Sequence, residues 1–410
     1  MKKLLLVLLI LSLFINHLNA NEKDLQIIQK DKKEYRLLDK ESIQTRQQSQ
    51  KYDWISPIDL SGNIGRNHSF SDENSRKLDN KNTKSASIGF TQSIFESGGI
   101  GFKMDYADNR FKYEMLSWEN QNSQLIYTIY NTLLDIKKLK LEINQNDYRI
   151  VNKDIELIIK KIQYEAGKTD IIELNNAIMS KNLILKEEIA LKNSLKEKEQ
   201  ELAKYTDLKY DEIEILDFQE TNKDIFLDKN YSILEADAKV EMLNSEYKIK
   251  KSQYLPKLSL SAKASYSNQD EKFNSMINDT NKDDATSSGS LILSMPLYDY
   301  TKSSKIQESK IEVLKQKALV NDLKNETAFE YEQIFTKIDT YLKQNETINK
   351  NIKLYEELIG ANQISSEAGM TSKYDLEILE NTKTINEFDI LINKINILQQ
   401  YAKLYFKIKN

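Results

Sequence analysis

The 410-residue sequence is poor in the residues that make turns, because it contains only 10 Gly and 3 Pro. Ordinary proteins use roughly 7% Gly and 5% Pro. Few turns leave long elements between them. The composition therefore argues against sandwiches, α/β barrels and doubly wound sheets, which need a turn every 10–20 residues or so.

Cysteine is missing altogether, which excludes disulfides, metal–thiolate sites and a lipid-modified N-terminal cysteine. There are only two histidines, His17 and His68, and neither belongs to a catalytic pattern. The GGIG segment at residues 98–101 lacks the GKS or GKT ending of a phosphate-binding loop, so we interpret it as a strand-to-helix turn. These absences predict a protein that is not an enzyme and needs no cofactor or metal.

Neither sign of charge is in large excess: 59 Lys and Arg stand against 63 Asp and Glu. A nucleic-acid-binding protein is expected to carry a strongly basic face, so no nucleic acid partner is predicted. After residue 20, no segment approaches the ~18 consecutive apolar residues of a membrane-spanning helix. Together with a mean hydropathy of -0.61, this excludes a polytopic helical membrane protein.

Residues 1–20 have the pattern of a secretory signal peptide. Lys2 and Lys3 precede a 12-residue apolar core from Leu4 to Ile15, and the segment ends at the small residue Ala20. A retained anchor helix is the alternative, but the core is short for a membrane span. The sequence therefore predicts an exported protein.

The chain contains the same landmarks twice, in the same order. An EAGxT segment at residues 165–169 recurs at 367–371, 202 residues later, and SIFE at 93–96 corresponds to PLYD at 296–299. Further upstream, Pro57 corresponds to Pro256. Because these landmarks are colinear at one offset, they predict two structural repeats, residues 21–209 and 210–410.

Each repeat is predicted to combine a pair of strands with very long helices. Alternation of apolar and polar residues places strands at about 57–68, 85–95, 256–267 and 287–297. The polar segments between them, 69–84 and 268–287, are predicted to be mobile loops. After a short N-terminal segment, helices are predicted at about 102–165, 170–207, 224–253, 299–365 and 372–408.

The helices carry narrow apolar stripes with the three- and four-residue spacing of coiled coils. A narrow stripe must be buried against neighbouring helices rather than inside a globule. In the first long helix the stripe comprises Leu125, Ile129, Leu133, Ile136, Leu139 and Ile143.

Strands of about ten residues with one apolar and one polar face are typical of membrane-spanning β-strands. Two soluble hairpins at the end of a coiled coil are the alternative. Four strands cannot close a barrel, since about eight is the smallest closed form. If the strands span a membrane, several chains must pool them, because an open edge in lipid leaves backbone groups unpaired.

The pattern resembles the TolC-like family of bacterial outer-membrane efflux proteins. The resemblance rests on the duplicated EAGxT turns, on YLPKLSL at 254–260 entering a strand and on MPLYD at 295–299 leaving one. SIFESGG at 93–99 is similar to the corresponding turn of the first repeat. Residues 21–51 depart from the family because they lack its Ala-Leu-rich opening.

The resemblance implies a mainly α fold with a small β part and an internal two-fold repeat. A long coiled-coil helical barrel would form a periplasmic tunnel. An outer-membrane β-barrel would be shared between the subunits of a homotrimer, with four strands per chain. Such a channel, surrounded by outer-membrane lipid, passes substrates from an inner-membrane pump and a periplasmic adaptor protein to the exterior, in tripartite efflux or type I secretion.

Two other classes remain as alternatives: an exported structural coiled-coil surface protein, and the periplasmic adaptor itself. An adaptor would carry a Gly-rich lipoyl-like segment and usually one helical hairpin, and neither pattern fits two full repeats. A surface protein would not need strands flanked by Pro at two equivalent places.

The two EAGxT segments mark tight reversals between a long helix and a returning one. Gly167 and Gly369 suit these reversals because glycine adopts the left-handed conformation that ends a helix. The neighbouring Ala166 and Ala368 are small enough for close approach of another helix. We predict that both turns are exposed helix tips where the adaptor docks.

Glu173 and Asp375 lie six residues after the two glycines, at equivalent places in the repeats. The resemblance implies that an acid here lines the periplasmic entrance of the pore. Three inward carboxylates would attract cations and repel anions. A plain helix-surface role is the alternative, and Glu377 and Glu380 are nearby acids able to serve instead.

Overall fold

The computed structural model describes residues 25–71, 77–216, 218, 220–270, 282–367 and 372–409. The predicted signal peptide lies outside the described residues. In the described ranges the chain is mainly helical with one four-stranded antiparallel sheet, as predicted.

A 3-10 turn at Leu25–Ile27 precedes the first α-helix. The helices are α1 (Lys30–Tyr52), α2 (Gly99–Glu165), α3 (Ile171–Leu202), α4 (Lys223–Asp228), α5 (Tyr231–Ser252), α6 (Lys302–Glu367) and α7 (Lys373–Lys407).

The two longest helices follow from the absence of breakers. α2 has 67 residues and α6 has 66, so each extends about 100 Å at 1.5 Å per residue. None of the helices in the described ranges has an apolar stretch long enough to cross a membrane.

Two helical segments differ from the expectation. Residues 30–52 form α1, although the sequence there departs from the family's opening. The single helix expected at 224–253 is divided into α4 and α5. The division occurs at Asn230, whose side chain accepts a hydrogen bond from the backbone N–H of Ser232 at 3.0 Å and so caps α5. Asn230 also forms a β-bridge with Ile408 near the chain end.

The sheet has the order β1-β2-β3-β4, with each neighbouring pair antiparallel. The strands are β1 (Asp59–Ser71), β2 (Lys77–Phe95), β3 (Lys257–Asp270) and β4 (Lys282–Ser294). The predicted loops at 69–84 and 268–287 are therefore wrong for the residues described there, which belong to the strands. Their polar side chains resemble a loop in sequence, but the backbone pairs across the ladder regardless of side-chain polarity.

Contacts divide the chain into two compact units. The first comprises Met1–Lys40, Leu116–Leu234 and Asn321–Asn410, and the second comprises Glu41–Met115 and Glu235–Val320. Both units draw on both halves of the sequence. They are therefore not the two predicted repeats, whose boundaries stay a prediction.

The first unit has its core where α2 packs against other helices. Ile129, Leu133 and Ile136 are fully buried. A second cluster of buried apolar residues joins α4, α6, α7 and the chain end. Its members are Phe226, Ile334, Ile338, Leu404 and Ile408.

Within this first unit, hydrogen bonds as well as packing hold α1 against α2. The indole N–H of Trp118 donates to the backbone oxygen of Arg36 at 2.8 Å. Arg36 in turn donates from Nε to the side-chain oxygen of Asn122 at 2.6 Å. Buried polar groups with matched partners specify one arrangement of the two helices.

The second unit contains the sheet and the helical segments that belong to it. Arg46 of α1 forms an ion pair with Glu114 of α2, with 2.9 Å between Nη1 and Oε1. Asn109 of α2 donates to the hydroxyl of Ser245 in α5 at 3.0 Å. These contacts fix three helices of the unit side by side.

Candidate functional site

The first predicted helix tip is a glycine-ended reversal between α2 and α3. Gly167 has a φ of 68°, in the left-handed region that side chains other than glycine rarely adopt. The backbone N–H of Gly167 donates to Tyr164 O at 2.9 Å, and that of Lys168 donates to Gln163 O at 2.8 Å. This pair of bonds is the Schellman pattern, which satisfies the last carbonyls of α2. Ala166 and Gly167 are both exposed.

Glu173 lies in the first turn of α3, just after this tip. Its backbone N–H donates at 2.9 Å to the side chain of Asp170, which caps the helix. Its carboxylate forms an ion pair with Lys160 of α2, with 3.0 Å between Oε2 and Nζ. The charge of Glu173 is therefore balanced within its own helical hairpin.

Ala368 and Gly369, predicted for the second tip, lie outside the described residues. α7 begins at Lys373, four residues after Gly369, and the side chain of Ser372 caps it by accepting from the backbone N–H of Tyr374 at 3.2 Å. Asp375 is exposed in the first turn of α7 and forms no ion pair with another described residue. The two predicted acids thus occupy equivalent helical positions, but only Glu173 is neutralised by a neighbour.

No hydrogen bond or ion pair between described residues joins Glu173 to Asp375. Glu377 and Glu380 are exposed on α7, as Asp375 is. In the parts of the chain that the structure describes, no group of three or more acids or histidines is placed to hold a metal ion.

Polar contacts between α2 and α7 hold the helix that carries Asp375. The amide of Gln145 donates to Ile385 O at 2.9 Å and to Asp389 Oδ1 at 2.7 Å. Asn152 donates to the hydroxyl of Thr382 at 3.3 Å. Gln145 and Asn152 are seven residues apart, so the contacts repeat at the heptad spacing of the seam. Such buried amides fix the register of paired helices.

Apolar side chains are exposed around the first tip. Ile162 at the end of α2 and Ile171 and Ile172 at the start of α3 each expose more than half of their surface. Large apolar residues clustered at an exposed turn indicate a surface that another chain covers.

The sheet has two chemically different faces. Residues paired directly across antiparallel strands share a face, so the row Leu60, Ile88 and Ala264 defines an apolar one. The side chains of this face are exposed: Leu60 at 79% and Leu293 at 73%.

The opposite face of the sheet is lined by hydroxyl groups. Hydroxyls of neighbouring strands lie within hydrogen-bond distance there, and sequence reasoning did not identify these pairs. Alternating Ser residues in β3 predicted a polar strand face, but the sequence does not give the register that decides which hydroxyls pair. The pairs are Ser61–Ser87 at 2.8 Å, Thr91–Ser261 at 3.0 Å, Ser93–Ser259 at 3.3 Å and Ser265–Thr286 at 2.8 Å.

The fold is that of bacterial outer-membrane channels. The structure is similar to the CmeC outer membrane channel of Campylobacter jejuni, with a TM-score of 0.70, 12% identity, and coverage of 92% of this chain and 84% of that one. It is equally similar to the outer membrane protein VceC of Vibrio cholerae, with a TM-score of 0.70, 14% identity and coverage of 94% and 93%. A membrane protein from Pseudomonas aeruginosa gives a TM-score of 0.71, 11% identity and coverage of 94% and 93%.

Residues 224–403 match the model of the family described as outer membrane efflux protein. No curated protein matches the sequence itself. The resemblance predicted from the duplicated landmarks is therefore confirmed. The predicted outer-membrane location and the prediction that the chain is not an enzyme are confirmed with it, since the family consists of outer-membrane channels.

Proposed function

We propose that this chain is one subunit of a homotrimeric exit duct, which passes substrates from an inner-membrane pump and a periplasmic adaptor to the exterior in tripartite efflux or type I secretion. The observation that carries the proposal is the open four-stranded sheet with one apolar and one hydroxyl face. Such a sheet suits lipid on one side and a water-filled lumen on the other.

The open edges of the sheet supply the argument for several copies. β1 and β4 are at the two ends of the strand order, so each pairs on one side only among the described residues. In lipid every unpaired backbone group costs several kcal/mol, which pairing with β1 and β4 of neighbouring copies removes. Three chains of four strands give twelve, enough for a closed barrel.

The long helices support the same assembly. On the part of α6 that belongs to the first unit, Leu342, Leu354 and Leu358 each expose about half of their surface. Leu354 and Leu358 are four residues apart and share one face of the helix, and an exposed apolar face of this kind needs an apolar neighbour. In the proposed trimer that neighbour is a helix of the next subunit.

The helix tips are the proposed adaptor site. Ala166 and Gly167 are exposed beside Ile162, Ile171 and Ile172, which together offer small and apolar surface for an approaching helix. By the predicted repeat, Ala368 and Gly369 make the corresponding second tip. Asp375 is the stronger pore-entrance acid, because Glu173 already pairs with Lys160.

Three measurements on the full-length protein test the proposed function. Mass determination in detergent is expected to give three copies of the chain, and purified protein in a planar lipid bilayer is expected to conduct ions. Co-purification with an adaptor through the tips is expected to be lost in Gly167→Val, because a β-branched residue is strained at a φ of 68°. A stable monomer that does not conduct would contradict the proposal.

A further inference from the structure

The hydroxyl face of the sheet carries two opposite charges in one row. Asp59 of β1 pairs with Gly89 of β2, Gly89 pairs with Lys263 of β3, and Lys263 pairs with Ser288 of β4. Directly paired residues share a face, and alternate residues along a strand share it too. The row is therefore on the same face as the hydroxyl pair Ser61–Ser87.

The close approach of β3 favours glycine at the position between the two charges. A Cβ at Gly89 would lie 3.0 Å from the backbone oxygen of Ala262 and 3.3 Å from the Cβ of Lys263, both tighter than ordinary contacts. No side chain therefore stands between Asp59 and Lys263. Their backbones are two strand spacings apart, which is about 10 Å.

The row also borders a cavity of about 450 Å³ on the hydroxyl face, and both charged side chains are exposed. Neither forms an ion pair with another described residue. The cavity is lined by Asp59, Gly89 and Lys263 together with Ser61, Ser87 and Ser261.

Few other charges act at this level. The other charged side chains described on this face of the strands are Lys257 and Asp284. Lys257 is six residues from Lys263, or about 20 Å along β3, and Asp284 is four residues from Ser288, or about 14 Å along β4. Both distances exceed the roughly 10 Å between the backbones of Asp59 and Lys263. Asp59 and Lys263 are therefore each other's nearest opposite charge on this face.

We infer that Asp59 and Lys263 form a charge-balanced row in the lumen at membrane level, so that this level passes polar solutes of either charge. The inference rests on the proposed function, because the hydroxyl face lines a lumen only in a closed assembly. Around three copies the row reads Asp, Gly, Lys, Ser three times, so that negative and positive charges alternate. The hydroxyl groups offer hydrogen bonds to polar solutes without selecting a sign.

Reversal potentials in a KCl gradient at about 0.01 M test the row, because the Debye length there is about 30 Å and screening at about 10 Å is weak. Lys263→Ser leaves three unbalanced aspartates and is expected to raise the K⁺ to Cl⁻ permeability ratio. Asp59→Ser is expected to lower it. Each shift should be at least about twofold, the factor that one unit charge about 10 Å away produces in water. The double variant is expected to return to the parental ratio.

Conservative and opposite-face variants complete the experiment. Lys263→Arg and Asp59→Glu keep the charges and should keep the parental ratio. Asp283→Asn removes a carboxylate that pairs with Asn268 of β3 on the apolar face, so it should also leave the ratio unchanged. Single variants that conduct with parental selectivity overturn the inference alone. A parent chain that forms no conducting pore overturns the proposed function and this inference with it.

Discussion

The helices α2 and α6 have nearly equal lengths and equivalent places in the predicted repeat, yet they are buried very differently. Within the first unit, α2 buries Ile129, Leu133 and Ile136 completely. α6 buries Ile334 and Ile338 but leaves Leu342, Leu354 and Leu358 about half exposed. α2 therefore buries more of its apolar stripe within the chain than α6 does, although Ile158 and Ile162 near the end of α2 are exposed as well. The difference indicates that α6, more than α2, contributes surface to an assembly.

The largest expected effect comes from the buried side of this comparison. Leu133→Ala removes a side chain that is 0% exposed and leaves a cavity in α2's core. We expect the free energy of unfolding to fall by about 2–5 kcal/mol. Chemical denaturation followed by helical circular dichroism measures it.

Leu358→Ala on α6 is the matched control, because this side chain is 48% exposed in the single chain. At concentrations where the chain is monomeric, its effect should stay within about 0.5 kcal/mol. Equal losses for Leu133→Ala and Leu358→Ala would remove the distinction between the two helices.

The next prediction concerns assembly through α6. Leu354→Lys replaces an exposed leucine that the proposed neighbouring subunit covers. The lost burial is expected to weaken association by about 1.5–3 kcal/mol per contact. Mass measurement across a dilution series in detergent should show earlier dissociation, with the helix content unchanged. Leu354→Met keeps an apolar side chain of similar volume and should assemble as the parent does.

A buried amide on α2 gives the third prediction. Gln145→Leu removes the donor to Ile385 O and Asp389 of α7, and these acceptors are left without that partner. We expect a loss of about 1–3 kcal/mol in the free energy of unfolding. Gln344→Leu, at an exposed position of α6, is the control and should change stability by no more than about 0.5 kcal/mol. A neutral Gln145→Leu would show that the contacts do not hold α7.

The fourth prediction compares a carboxyl group on each helix. Burial raises the pKa of Glu330 on α6, but hydrogen bonds and charges from Lys403 and Lys407 outweigh burial, and the net pKa is lowered. A carboxyl group whose pKa is lower in the folded state than in the unfolded state stabilises the fold at pH values above its unfolded-state pKa. This stabilisation is lost as the pH falls through the folded-state pKa. After solvent screening the contribution is about 1 kcal/mol or less. The free energy of unfolding of Glu330→Gln and of the parent should be measured at a series of pH values from 7 downwards. The difference between the two is expected to shrink as the pH falls.

Glu142 on α2 has the opposite behaviour, because burial raises its pKa and Lys138 and Arg149 offset only part of that effect. The contribution of Glu142 to the free energy of unfolding is fully present below the unfolded-state pKa and is lost as the pH rises through the folded-state pKa. Glu142→Gln should therefore gain stability relative to the parent as the pH rises above about 4.3. Parallel pH profiles for Glu142→Gln and Glu330→Gln would contradict the assignment.

The smallest effect on stability is expected at the tips, where the comparison extends to α3 and α7. Asp375→Ala removes an exposed, unpaired carboxylate and should lower the cation selectivity of the channel while leaving the trimer intact. Glu173→Ala should change selectivity less, since Lys160 already balances that charge. If Asp375→Ala channels select as the parent does, Glu377 or Glu380 becomes the candidate acid. Single-channel recordings decide between them.

Much of the secondary structure was predictable from local pattern. Strand β3 was expected at about 256–267 and is observed at Lys257–Asp270, because its apolar and polar residues alternate strictly. The start of β2 was missed by eight residues, since the polar run from Lys77 to Lys84 has no alternation to detect. The interruption at Asn230 was missed as well, because the bridge to Ile408 joins residues distant in sequence.

The sequence alone determined the long helices, the two hairpins of strands, the glycine reversal at Gly167 and the resemblance to outer-membrane efflux proteins. These features depend on local preferences: helices continue where Gly and Pro are absent, and glycine accepts a positive φ. Only the tertiary structure decided that Glu173 pairs with Lys160 while Asp375 has no ion-pair partner among the described residues, and that Asp59 and Lys263 share one row. Contacts of this kind depend on strand register and helix packing, which bring together residues far apart in the chain and leave no periodic trace in the sequence.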